Sequence, residues 1–163
     1  MVAGSILPVC IYKNKLYFLF GEENKFEDSS PGWADFGGGC DANETPYQTA
    51  LREGSEELTG FLGSPSDLKK YDTLNFTHND YHVFMIHVPY NETLVDCYNK
   101  NHDFLWKRMN NKLLAKSKFF EKQQIQWFSI DEMIKHKKKF RHFYKEIVDI
   151  LYQQQNQIRD WLK

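Results

Sequence analysis

Cysteine is scarce. Cys10, Cys40 and Cys97 are the only three in 163 residues, an odd number at wide spacing with no CxxC pair. This excludes a disulfide framework and a thiolate zinc cluster and fits a reducing compartment. No run approaches the roughly 18 apolar residues of a membrane span. The first residues lack the basic stretch of a secretory leader, and the apolar start at Ile6 is broken by Pro8 and by Lys13-Asn14-Lys15. A cytoplasmic location with no membrane partner is the expectation. The Asn-x-Thr triplets at Asn43, Asn75 and Asn91 are then chance matches. Net charge of one sign is also missing: the formal value is −1, so bulk electrostatics favour neither nucleic acid nor a membrane surface. Internal repeats and linker-like stretches are absent.

What is present is aromatic surface. Aromatics make up 16% of the chain and hydrophobic residues 41%, enough to fill one core, and the length suits a single domain over 1–163. Charge is unevenly distributed. Up to Phe61 there are 4 Lys/Arg against 10 Asp/Glu, and from Leu62 onward 17 against 12, so an acidic first part precedes a basic second part.

Ile6 to Tyr12 and Leu16 to Phe20 are β-branched and aromatic runs around a polar turn, the pattern of a hairpin. Gly21 to Gly32 reads as a loop, and Trp33 to Phe36 as a short strand entering Gly37-Gly38-Gly39. Thr45-Pro46-Tyr47-Gln48 is a capping box with proline at the first helical position. Tyr47, Ala50, Leu51, Gly54 and Leu58 then form an apolar stripe, with Gly60 as the stop. Tyr81 to Val88 and Ile125 to Ile130 read as strands. The polar stretch from Asn91 to Gln124 is given one short helix, around Leu105 to Leu114. Ser129 to Glu132 is a further capping box, and Phe140, Phe143, Ile147, Ile150 and Leu151 mark a C-terminal helix running toward Trp161. Alternating strands and helices with an antiparallel pair predict an α/β or α+β sandwich.

The segment that asks for a chemical reason is Gly37 to Phe61. On a helix starting at Pro46, Glu53, Glu56 and Glu57 stand at i, i+3 and i+4 and project from one face. Like charges at these spacings repel by a few tenths of a kcal/mol per pair, and only Arg52 is adjacent to offset them. Such a cluster suits a hard divalent cation, Mg²⁺ or Mn²⁺, completed by phosphate oxygens.

The spacing of Gly38, Glu44, Arg52, Glu53, Glu56 and Glu57 resembles the Nudix box, G-x5-E-x7-R-E-U-x-E-E-x-G-U with U a bulky apolar residue. Two positions depart from it. Gly54 replaces an apolar residue, an expected loss of packing and of about 1 kcal/mol of helix propensity. Gly60 comes one residue late, which is expected to alter the helix end and re-aim Glu57. The late Trp127-Phe128-Ser129-Ile130-Asp131-Glu132 run is also similar to the end of Nudix domains, and the wording of the box looks most like Nudix proteins of large DNA viruses.

The resemblance implies an α/β Nudix fold with a mixed sheet between helices, and metal-dependent hydrolysis of a nucleoside diphosphate linked to another group. It makes Glu53 and Glu57 the principal metal ligands and Glu56 a further ligand or the group nearest the attacking water. The backbone carbonyl of Gly37, in the turn with Gly38, would add an oxygen. Arg52 would orient the glutamates and Glu44 would brace the loop. Many members use one more carboxylate before the late strand, and Glu121 is the only acidic residue between Asp103 and Asp131.

Trp33, Tyr81 and Phe128 are candidates to stack on a base, and His78 and His82 to sit near phosphates, while Cys40 reads as a turn residue. Lys137, Lys138 and Lys139 lie in the densest basic run and are candidates for an RNA or polyphosphate track. The first expectation for function is a pyrophosphohydrolase of a free nucleotide such as a (d)NTP. The second is an mRNA-decapping or diphosphoinositol polyphosphate hydrolase, and the third a Nudix-fold binding protein impaired in catalysis. A homodimer is an expected assembly.

Overall fold

The computed structural model describes residues 1–24, 31–116 and 120–163. Residues 25–30 of the expected loop lie outside the described residues. Strand β1 (Ala3–Tyr12) turns into β2 (Lys15–Glu23) through Lys13 and Asn14, both at positive φ, the two-residue type I′ geometry whose twist matches a hairpin. The segment read as one short strand is two, β3 (Trp33–Ala34) and β4 (Phe36–Gly39). Then come α1 (Pro46–Glu57), a single turn α2 (Pro65–Leu68), β5 (Thr73–His78), β6 (Tyr81–His87), α3 (Glu92–Trp106), α4 (Asn111–Lys116), β7 (Lys122–Ser129) and α5 (Ile130–Lys135). Two 3₁₀ turns lead to α6 (Lys145–Gln153) and α7 (Gln155–Leu162). The C-terminal helix expected as one piece is therefore broken at Gln154.

The sheet is mixed. It runs β3-β2-β1-β6-β5, with β4 also pairing β1 and β7 also pairing β2. β1 and β6 are parallel, whereas β1 pairs β2 and β4 antiparallel. Alternation along β1 sends Leu7 and Val9 into a core with Phe18, Phe20, Phe140, Tyr144, Ile147 and Leu151. Ile6 and Cys10 face the other way, into a core with Ala50, Leu51, Leu58, Tyr98 and Trp127. Helices cover both faces, and the expected sandwich is the observed one.

Helix α1 lies unusually close to β1 because two glycines let it. A Cβ at Gly4 would stand 2.0 Å from the Pro46 carbonyl oxygen, and one at Gly54 2.8 Å from Cγ1 of Ile6. Gly54 does not sacrifice packing, as expected, but permits it. The late glycine is absorbed just as locally. α1 ends at Glu57, and Thr59 and Gly60 both take left-handed φ, +51° and +73°. This conformation is strained for a β-branched residue. Thr59 is held there by His102 of α3, whose Nε2 lies 2.9 Å from the threonine hydroxyl.

α3 corrects the expectation of one short helix around 105–114. It starts at the Asn91 cap and buries Val95, Tyr98 and His102. His102 Nδ1 donates to the Lys122 carbonyl at 3.2 Å and its ring stacks on Tyr98 at 3.9 Å, so Nε2 is the acceptor for Thr59 and the ring is neutral. Asn99 bonds both the N–H and the carbonyl of Ile125, covering β7 as a neighbouring strand would.

Two outcomes follow. Gly54→Ala should destabilise the fold by about 1–3 kcal/mol in urea denaturation, because overpacking against Ile6 outweighs alanine's helix propensity of about 1 kcal/mol; a stabilised variant would contradict the close contact. Burial lowers the His102 pKa to about 4, so below its ordinary 6.5 the unfolded chain takes a proton that the folded chain refuses. That contribution is complete above pH 6.5 and declines as pH falls toward 4, by up to roughly 3 kcal/mol. In His102→Gln this part of the pH dependence of the urea midpoint should vanish.

Candidate active site

The glutamates of α1 gather where the ends of three elements meet. The capping box is present as expected: Thr45 Oγ1 accepts from the Gln48 N–H and the Gln48 side chain accepts from the Thr45 N–H. With the helix start fixed, Glu53 falls against β4, where a Cβ at Gly38 would stand 2.9 Å from Glu53 Oε1. Only glycine leaves that carboxylate its place. Glu57, the last residue of α1, is 3% exposed, and its backbone carbonyl accepts from the Tyr98 hydroxyl at 2.6 Å. Glu121 stands just before β7. One carboxylate oxygen from each of Glu53, Glu57 and Glu121 lies within 4.8 Å of the others, so the structure brings together three of the predicted ligands.

Arg52 orients Glu53 and ties it to Glu44. Its Nε and Nη2 donate to the two oxygens of Glu44, both at 2.9 Å, while Nη1 donates to Glu53 Oε1 at 2.9 Å. This bidentate grip is of the strong, geometrically specific kind. Glu44 also accepts from the Thr49 hydroxyl and the Asp41 N–H. The Arg52 and Thr49 bonds, against a small opposing effect of burial, hold the Glu44 pKa down to about 2. Glu56 points outward, half-exposed, with Oε2 3.6 Å from Arg52 Nη1, outside the three-carboxylate cluster. Gly37 lies opposite Ser5 in the β1–β4 register, where a Cβ would meet the Gly4 carbonyl oxygen at 2.4 Å.

The deeper carboxylates are held at a cost. Burial raises the Glu57 pKa well above the carboxylate range, opposed by the charge of Lys122 and reinforced by Glu23, Glu121 and Glu53. Burial raises Glu53 too, against the pull of Arg52. Among the described residues Glu57 Oε2 is buried without a hydrogen-bond partner. A divalent cation among these oxygens would satisfy that atom and reverse the repulsion, so the residues present fit Mg²⁺ or Mn²⁺.

Two buried polar groups escaped the sequence reading. Lys122 is fully buried, its Nζ donating to Glu23 Oε1 at 2.7 Å and lying 3.5 Å from Glu57 Oε2; Arg141 also reaches Glu23. Burial lowers the Lys122 pKa, but the charges of Glu57 and Glu23 outweigh it and raise the value overall. Asp35, between β3 and β4, accepts from the hydroxyls of Ser5, Tyr81 and Tyr144. Only Asp35 carried a signal, a charged residue between Ala34 and Phe36, whereas Lys122 and Glu23 stand among polar neighbours that gave none.

Other expectations need correction. Trp33 and Phe128 are 5% and 3% exposed and pack on each other in the core. The Tyr81 hydroxyl is committed to Asp35 and its ring packs on Phe143 and Tyr144. These three are scaffold residues rather than stacking platforms, although an edge of Trp33 reaches an open cleft shared with Gln124, Gln126, Lys138 and Lys139. Lys137 is paired with Asp149 at 2.6 Å. His78 bonds Glu146 and His82 bonds Thr77, contacts that tie β5, β6 and α6 together. Among the described residues no helix is long and apolar enough to cross a membrane.

Comparison with known proteins bears on the fold. No curated protein matches the chain. Among solved structures, an Ap4A hydrolase of C. elegans in a binary complex is similar at TM-score 0.53 and 16% identity, covering 97% of each chain. A NUDIX hydrolase structure from Listeria monocytogenes is similar at TM-score 0.52 and 12% identity, covering 96% of this chain and 95% of that one. A bifunctional NMN adenylyltransferase/ADP ribose pyrophosphatase of Francisella tularensis, complexed with AMP and a manganese ion, is similar at TM-score 0.51 and 16% identity over 94% of this chain and 41% of its own. At such identities the likeness is one of fold. The model of the NUDIX domain matches residues 6–150. The chain thus belongs to the NUDIX domain family and is a hydrolase of the class that acts on phosphorus-containing anhydrides.

Proposed function

We propose that the chain, acting as a single domain over 1–163, is a divalent-metal-dependent pyrophosphohydrolase of a nucleoside-diphosphate-linked substrate, a free nucleotide such as a (d)NTP. The observation that carries the reading is the convergence of Glu53, Glu57 and Glu121, with Glu57 Oε2 buried and unbonded. Mg²⁺ or Mn²⁺ bound there supplies neutralisation of phosphoryl oxygens and a more acidic water.

The chain's own residues do the rest. Glu53, Glu57 and Glu121, with the Gly37 carbonyl, would hold the cation. Arg52 fixes the Glu53 carboxylate and, through Glu44, the loop before α1. Glu56 faces solvent beside the cluster and accepts the proton of the attacking water. That water forms the new P–O bond as the phosphoanhydride P–O bond breaks, and the leaving group departs as a phosphate.

A second reading, hydrolysis of capped RNA or of a diphosphoinositol polyphosphate, is favoured by Lys138 and Lys139 lining the open cleft beside Gln124 and Gln126. It is weakened by the engagement of Lys137 with Asp149 and of Arg141 with Glu23. Against the catalytically impaired reading, Gly54 seats α1 and the Thr59–Gly60 turn leaves Glu57 in the cluster.

Purified protein should turn over at least one of a panel of (d)NTPs, dinucleoside polyphosphates and nucleotide sugars with Mg²⁺ or Mn²⁺, and lose turnover in excess EDTA. Glu53→Gln and Glu57→Gln should lower kcat by about 10²-fold or more, and Glu121→Gln by about tenfold. Undiminished turnover in EDTA, or wild-type rates in Glu57→Gln, would contradict the reading. Turnover of capped RNA alone, weakened by salt and by Lys138→Ala with Lys139→Ala, would install the second one.

A further inference from the structure

The end of β2, the end of α1 and the start of β7 bring Glu23, Glu57 and Lys122 together out of water, at 8%, 3% and 1% exposure. Room for the lysine is built in. A Cβ at Gly21 would stand 2.8 Å from Lys122 Cδ, so β2 carries no side chain where the aliphatic stem passes, and the ammonium lies 5.8 Å from the centre of the Phe36 ring. From there Nζ bonds Glu23 at 2.7 Å and stands 3.5 Å from Glu57 Oε2, an atom that accepts no hydrogen bond from the described residues. A lysine serving only to neutralise Glu23 would have no need to reach Glu57. The same carboxylate thus stands near both a fixed cation and the carboxylates of Glu53 and Glu121.

We propose that Lys122 is a positioning residue of the metal site, an internal cation that shares Glu57 with the divalent ion and sets how tightly the carboxylates hold it. This rests on the metal-binding reading above and deepens it. Two opposite charge changes then act in opposite directions. Removing the ammonium leaves Glu57 and Glu23 wholly to the ion. Removing the Glu23 charge leaves Lys122, and Arg141 behind it, with Glu57 as the remaining anion. Loss of structure alone would weaken binding in both cases.

Mn²⁺ binding to the full chain, followed by the electron paramagnetic resonance of the free ion, tests this without reference to turnover. Lys122→Met should tighten Mn²⁺ about tenfold and Glu23→Gln should weaken it by a similar factor, with circular dichroism reporting that each variant is folded. Unchanged or weakened binding in folded Lys122→Met, or unchanged or tightened binding in folded Glu23→Gln, would overturn the proposal. The wild-type protein supplies a measurement independent of any variant's folding. With ¹³C-labelled lysine, Mg²⁺ should shift the Lys122 ε-carbon resonance more than that of any other lysine, and an unmoved resonance in protein that binds Mg²⁺ would overturn the assignment. Failure of wild-type protein to bind either ion would instead remove the metal reading itself.

Discussion

A carboxylate withdrawn from water at the end of a helix is the constraint on which this structure turns. Glu57 is 3% exposed, and isolating such an anion costs several kcal/mol unless cations stand close by. Its position adds to the cost, because the C-terminal end of a helix carries partial negative charge. The fold answers with Lys122, but it also sets Glu53 and Glu121, themselves anions, beside the same carboxylate. Such a site is only half compensated by the protein. The missing half is positive charge, and a divalent ion delivers it in a form that hard carboxylate oxygens prefer.

Everything around Glu57 serves to hold it in that position. Gly4 and Gly54 let α1 settle on β1, the Tyr98 hydroxyl pins the carbonyl of Glu57, and Asn99 locks β7 beside the same helix. On the side facing Glu53, the Arg52–Glu44 fork does for the loop what α3 does for β7. A sheet covered on both faces gives these contacts a rigid base, which a metal site requires because its ligands must meet within fractions of an ångström. The three hydroxyls on Asp35 add a buried network at the junction of β3 and β4.

What could be read in the sequence was whatever rests on neighbours in the chain. The Thr45 and Ser129 capping boxes, the first hairpin and the spacing of Arg52 to Glu57 depend on contacts within a few residues, and the structure has them where the pattern put them. The strand pair β5–β6 joins through Asn79 and Asp80, both left-handed, a turn signal present in the sequence but unread. α3 was missed because its buried face includes Tyr98 and His102, polar types whose burial is decided by distant partners. Lys122 was illegible for the same reason, since Glu23 lies 99 residues away along the chain and only the β2–β7 register brings them together. Trp33, Tyr81 and Phe128 failed as base platforms because an aromatic residue in a strand says nothing about which face is covered. Glu121 became a candidate because the family resemblance implies one more carboxylate before the late strand, and the fold places it beside Glu53 and Glu57.

Anomalous scattering from a crystal grown with Mn²⁺ addresses the central claim most directly. The account predicts a manganese peak among the carboxylates of Glu53, Glu57 and Glu121, within about 2.0–2.3 Å of at least two of them. Manganese bound elsewhere, with these three side chains turned from one another, would contradict it.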